Sequence, residues 1–93
     1  METTVVNIRK EPYDVYIGRA GKGQDGYFGN PFTGHDRIRV IKEYETYFYN
    51  RIKNDEEFKQ RILELKGKRL GCFCKPLPCH GDIIAEYLNC LQD

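Results

Sequence analysis

No surplus of charge marks this chain: fifteen basic residues stand against fourteen acidic ones, a formal net charge of +1 over 93 residues. Binding duplex nucleic acid through its phosphates needs Lys and Arg gathered on one face, so neither that mode nor a polybasic tail is expected. A single nucleotide stays open. No apolar run approaches the roughly 20 residues of a membrane span. The opening Met1-Glu2-Thr3-Thr4-Val5-Val6 has no basic stretch followed by a long apolar one. A cytoplasmic protein with no membrane partner is therefore expected, and its four cysteines should be thiols or metal ligands rather than disulfides. Internal repeats and low-complexity tracts are lacking too, which leaves hydrophobic period and punctuation to carry the reading.

What is present is 40 % hydrophobic and 31 % charged residues, the balance of a soluble globular domain. A single domain over residues 1–93 follows, and a chain this short buries only about 60 to 65 % of the surface its unfolded form exposes. Residues 4–8 and 13–18 are short β-branched and aromatic stretches. The link between them, Arg9-Lys10-Glu11-Pro12, is too short for a parallel crossover, so an antiparallel pair is expected. Glycine then recurs at Gly21, Gly23, Gly26 and Gly29 ahead of Asn30-Pro31, making 19–32 a loop long enough to serve a purpose.

Residues 36–53 carry Ile38, Ile41, Tyr44, Phe48 and Ile52 at helical spacing, with Thr33 or Asp36 placed to cap the first amides. Asn54 or Asp55 caps a second helix with Glu56 and Glu57 in its first turn, Phe58, Ile62 and Leu65 inward, and Gly67 at its end. A strand over 69–74 and a helix over 82–91, with Ile84, Tyr87, Leu88 and Leu91 inward, complete the chain. The fold class is α/β: a small mixed sheet of about three or more strands with three helices, Rossmann-like in part. Two helices separate the strand ending at Gly18 from the one ending at Cys74, so a right-handed crossover makes these strands parallel neighbours. Their carboxyl ends then share one edge, where ligands of open α/β sheets bind.

That edge gathers two unusual segments. In Gly71-Cys72-Phe73-Cys74-Lys75-Pro76-Leu77-Pro78-Cys79-His80-Gly81-Asp82, three thiols and an imidazole fall within nine positions. Cys72, Cys74, Cys79 and His80 offer four sulfur or nitrogen ligands for zinc, although the spacing departs from the usual paired knuckle. Alternatively, Cys79 and His80 stand just before a helix whose first amides attract negative charge, a geometry that lowers a thiol pKa or receives a phosphate. Cys72 and Cys90 read more simply as small core residues. In the other segment, glycines permit close backbone approach, Arg19 offers a planar fork for phosphate or carboxylate, and Asn30 can donate and accept. Tyr44, Tyr47, Phe48 and Tyr49 are too many for one buried stripe, so Tyr47 or Tyr49 should face a subunit interface or pack under the 19–32 loop.

Val15-Tyr16-Ile17-Gly18-Arg19, Gly29-Asn30-Pro31-Phe32 and the block from Gly71 to Asp82 resemble, in order, the signature blocks of a family catalogued as domain of unknown function 4326. The resemblance implies a small protein of bacteria or bacteriophages and carries no activity with it. The last block is more loosely similar to the strand, Pro-x-x-Cys-His and helix segment of domain of unknown function 488, another α/β family.

The expected function is binding of a small anionic, nucleotide-derived ligand between the 19–32 and 75–82 loops, with Arg19, Gly21, Gly29, Asn30, Cys74, Lys75 and Gly81 as ligand contacts and no cofactor. Processing of the ligand would make Cys79 the nucleophile and His80 or Asp82 the general acid or base, acting on a glycosyl or phosphoryl bond. The competing reading is a zinc-stabilised protein-interaction module. Small size and surplus aromatics favour a homodimer in either case.

Overall fold

The computed structural model describes residues 2–19, 26–32, 34, 36–73, 75 and 77–91. Their order is β1 (Thr4–Asn7), β2 (Val15–Tyr16), α1 (Arg37–Asn54), α2 (Glu56–Leu63), β3 (Arg69–Cys72) and α3 (Gly81–Cys90). The α/β class, three strands and three helices follow the sequence expectation. The strand pairing does not: β1 and β2 never pair with each other, and each lies parallel to β3, giving the order β1-β3-β2. Val5, Leu70 and Val15 share one level, and Val6, Gly71 and Tyr16 the next.

Gly71 explains how a connection of only seven residues, 8–14, replaces the expected hairpin. After β1 the chain continues one step along β3, Ile8 N–H donating to the Cys72 carbonyl at 3.1 Å, then turns as Lys10 and Glu11 both donate to the Asn7 carbonyl. It returns across the middle strand and re-enters the sheet where Asp14 N–H meets the Arg69 carbonyl at 2.8 Å. A Cβ at Gly71 would stand 2.5 Å from Ile8 Cγ2 and 2.7 Å from Tyr13 Cγ, so the connection lies directly on the strand at the one residue with no side chain. The general rule that parallel strands need a dozen or more linking residues assumes a helix in the crossover. Here none fits or is needed. Asp14 secures the return, its carboxylate accepting from both the Arg69 backbone N–H at 2.8 Å and the guanidinium.

Side chains alternate along a strand, so Leu70 and Cys72 face away from Gly71. They join Ile17, Tyr44, Phe48, Phe58, Ile62, Ile84 and Leu88 in one core drawn from all three helices. Helices thus cover one face of the sheet and the 8–14 connection the other. Asp36 caps α1 by accepting from Arg39 N–H, and Asp55 both ends α1 and caps α2 through Phe58 N–H. Helix α2 stops at Leu63, with Gly67 taking a left-handed φ of 79° before β3. Ile38, expected inward, is 54 % exposed in the first turn of α1, on the same outer side as Arg39 and Lys42. Cys90, expected in the core, is exposed at the last turn of α3.

Candidate functional site

Because β2 and β3 run the same way, the residues that follow each emerge at one edge. His80 fastens them together: its Nε2 lies 2.6 Å from the Ile17 carbonyl, a buried contact between positions 63 apart in sequence. A carbonyl only accepts, so Nε2 carries the proton. Burial holds the imidazole pKa below its usual value, and the Arg19 charge acts the same way, outweighing the Ile17 hydrogen bond and Asp82. His80 is therefore neutral near pH 7, with Nδ1 as its unprotonated acceptor. The Tyr44 ring packs edge-on against it at 5.1 Å between centroids.

Arg19 is exposed, and its guanidinium is aimed by one hydrogen bond, Nη2 to the Phe32 carbonyl at 2.7 Å. Tyr16 steadies the same segment by donating to the Arg19 carbonyl at 2.9 Å. On the opposing loop, Lys75 pairs with Asp82 at 2.5 Å. Burial opposes the Lys75 charge, but the Asp82 carboxylate outweighs it and raises the pKa. Asp82 also accepts the Cys79 backbone N–H at 3.1 Å, and Arg37 reaches across from α1 to the Pro78 carbonyl at 3.3 Å. The start of α3 is thus partly occupied by the chain's own carboxylate.

Several expected site residues have other duties. Asn30 is buried and its amide is engaged internally, Oδ1 accepting from Phe32 N–H and Nδ2 donating to the Val40 carbonyl, so it shapes the loop rather than reading a ligand. Gly29 permits the two ends of the loop to touch, since a Cβ there would meet the Gly18 carbonyl at 2.8 Å. Gly81 seats α3 on the sheet, where a Cβ would meet Ile17 Cδ1 at 2.5 Å. Gly21 and Cys74 lie outside the described residues.

Cys79 departs furthest from its expected role. It is 2 % exposed, and its Sγ is 3.3 Å from Cys72 Sγ. The Cys72 thiol and burial push its pKa up, opposite to the activation a nucleophile needs. As for zinc, Cys72 and Cys79 meet, but His80 spends Nε2 on the Ile17 carbonyl, and among the described residues no three His, Cys, Asp or Glu side chains are arranged to hold a metal ion. Sequence reasoning missed Ile17 as the backbone acceptor and Tyr44 as the wall behind His80, and it set Cys72 beside Cys79 only as candidate zinc ligands.

A shallow depression of about 490 Å³ runs along the outer side of α1, lined by Asp36, Ile38, Arg39, Lys42, Glu43 and Thr46. It belongs to one helix and contains none of the residues above. The candidate site is the carboxyl edge of β2 and β3, where Arg19 comes within electrostatic reach of His80 and Lys75 pairs with Asp82 at the start of α3.

The model of the family described as Domain of unknown function (DUF4326) matches residues 3–90. The chain belongs to the DUF4326 family. This DUF4326 domain is also 43 % identical, over 88 residues, to the "Uncharacterized 12.4 kDa protein in nrdA-td intergenic region" of Enterobacteria phage T4, covering 91 % of this chain and 76 % of that protein. No solved structure matches the domain. Among the described residues, no helix is long and apolar enough to cross a membrane.

Proposed function

We propose that this DUF4326 domain binds a small anionic, nucleotide-type ligand at the shared carboxyl edge of β2 and β3, in a cytoplasmic setting such as a phage-infected cell. The observation that carries the reading is the 2.6 Å contact between His80 and the Ile17 carbonyl, which brings Arg19, two residues on, within electrostatic reach of the start of α3. Arg19 has guanidinium donors left over from its bond to Phe32, and Lys75 adds a second cation whose partner Asp82 a ligand phosphate would compete with. Neutral His80 supplies an acceptor at Nδ1 suited to a ribose hydroxyl or a base N–H. Parallel strand ends of this Rossmann-like kind are where open α/β sheets take their ligands. The buried, high-pKa Cys79 favours binding over thiol-based turnover.

The test is a melting-temperature survey with nucleoside mono- and diphosphates and with inorganic phosphate. A ligand at one hundred times its Kd stabilises by about 2.7 kcal/mol. Removing one charge-assisted hydrogen bond costs about 1.5 to 3 kcal/mol, so Arg19→Ala should weaken binding roughly 10- to 100-fold, while loss of its exposed bond to the Phe32 carbonyl lowers the melting temperature of the free protein only slightly. Equal ligand-induced shifts in wild type and in the Arg19→Ala/Lys75→Ala double variant would remove the proposal.

A further inference from the structure

Cys72 closes β3 and Cys79 precedes α3, so the two thiols bracket the segment 73–78. Both are reduced and buried, 1 % and 2 % exposed, with the sulfurs 3.3 Å apart. That separation is already inside ordinary sulfur–sulfur contact, and a disulfide of about 2.05 Å needs only about 1.3 Å of further approach, shared between two side chains. Nothing in the ligand-binding proposal uses this pair.

We infer that Cys72 and Cys79 form a dithiol site that a hydroperoxide converts to an intramolecular disulfide, tying the end of β3 to the start of α3. Cys79 is the attacking sulfur because it lies in the loop before α3, whereas Cys72 ends the middle strand of the sheet. In its thiolate form it attacks the peroxide oxygen. The O–O bond breaks, Cys79 sulfenic acid forms, and the departing hydroxide takes up the proton released when the thiol ionised, leaving as water. Cys72 sulfur then attacks the sulfenic sulfur, the S–O bond breaks, and the departing hydroxide takes the Cys72 proton as a second water. Two electrons pass from the two sulfurs to the two peroxide oxygens, and no third reductant is required. The product closes residues 72–79 into a ring, so the Phe73 and Lys75 segment is held at both ends and His80 stays against Ile17. Because Cys79 is largely protonated when reduced, the first step accelerates as pH rises.

The experiment exposes the folded, reduced full-length chain to hydrogen peroxide, blocks residual thiols, and maps the peptides by mass. The expected result is a loss of about 2 Da located to a Cys72–Cys79 cross-link, faster at pH 9 than at pH 7, with a raised urea midpoint that a thiol reductant reverses. Cys72→Ser should abolish the mass loss and leave oxygen adducts at Cys79. A cross-link made instead to Cys74 or Cys90 would overturn the inference. So would a wild-type chain that gains only oxygen adducts while Cys72 and Cys79 remain alkylatable on unfolding. The peptide map of wild type decides this even if the serine variant folds poorly.

Discussion

Replacing Gly71 by alanine tests the short parallel crossover directly. The new Cβ would stand 2.5 Å from Ile8 Cγ2 and 2.7 and 2.9 Å from Tyr13 Cγ and Cδ2. Carbon atoms settle at about 3.5 to 4.0 Å, so each neighbour must retreat by about 1 Å. Ile8 Cγ2 and Tyr13 Cγ are each one bond from their own Cβ, so no distant torsion gives way and the backbone of 8–14 has to lift. Overpacking of this kind costs about 1 to 3 kcal/mol, offset by up to about 1 kcal/mol because alanine is less free than glycine in the unfolded chain. A net loss of about 1 to 2 kcal/mol lowers the melting temperature of a domain this size by roughly 5 to 15 °C. Thermal unfolding followed by circular dichroism reads it. In an Ile8→Ala background, where the nearest methyl is gone, the same substitution should cost less, and the double-mutant cycle isolates that contact. A Gly71→Ala protein as stable as wild type would mean that the connection does not lie across β3.

The neutral His80 makes stability pH-dependent. Its folded pKa lies below the ordinary 6.5, so as pH falls the unfolded chain takes up the proton first. Stability present above about pH 6.5 is therefore lost on acidification toward the folded value. Melting temperatures from pH 8 to 5 should fall in wild type and flatten in His80→Gln, which keeps an N–H donor for the Ile17 carbonyl; parallel slopes would contradict the assignment. Asp14 and Asp55, both held below their usual 3.8 by hydrogen bonds, act at lower pH and leave this window clear. Asp55→Ala removes the cap on Phe58 N–H and the partner of Arg51. It should lower the urea midpoint by the equivalent of about 1 kcal/mol, most of which Asp55→Asn restores.

Helices were legible because their signals are local. The apolar period of α1, Asp36 as its cap, Asp55 before the acidic first turn of α2, and Gly67 after it all sit within a few residues of what they determine. The parallel β2–β3 relation was legible too, since two intervening helices demand a crossover. The β1–β2 relation was not. Its cause is Gly71, 57 residues beyond Asp14, and nothing near Arg9-Lys10-Glu11-Pro12 says that a glycine waits to be crossed. The site shows the same division. The shared edge at which Ile17 and His80 meet came from topology. The engagement of Asn30 with Val40 and of Cys79 with Cys72 depends on long-range packing, which turned a reader and a nucleophile into a loop brace and a buried thiol.

The central claim is that the segments around Arg19 and His80 form one ligand-binding edge. Titration of the isotope-labelled protein with a nucleoside monophosphate, followed amide by amide by nuclear magnetic resonance, tests it most directly. The account predicts saturable shifts at Ile17, Gly18, Arg19, Lys75, His80 and Asp82 together, greatly weakened by Arg19→Ala. Saturable shifts confined to the outer side of α1, or none up to millimolar nucleotide, would contradict it.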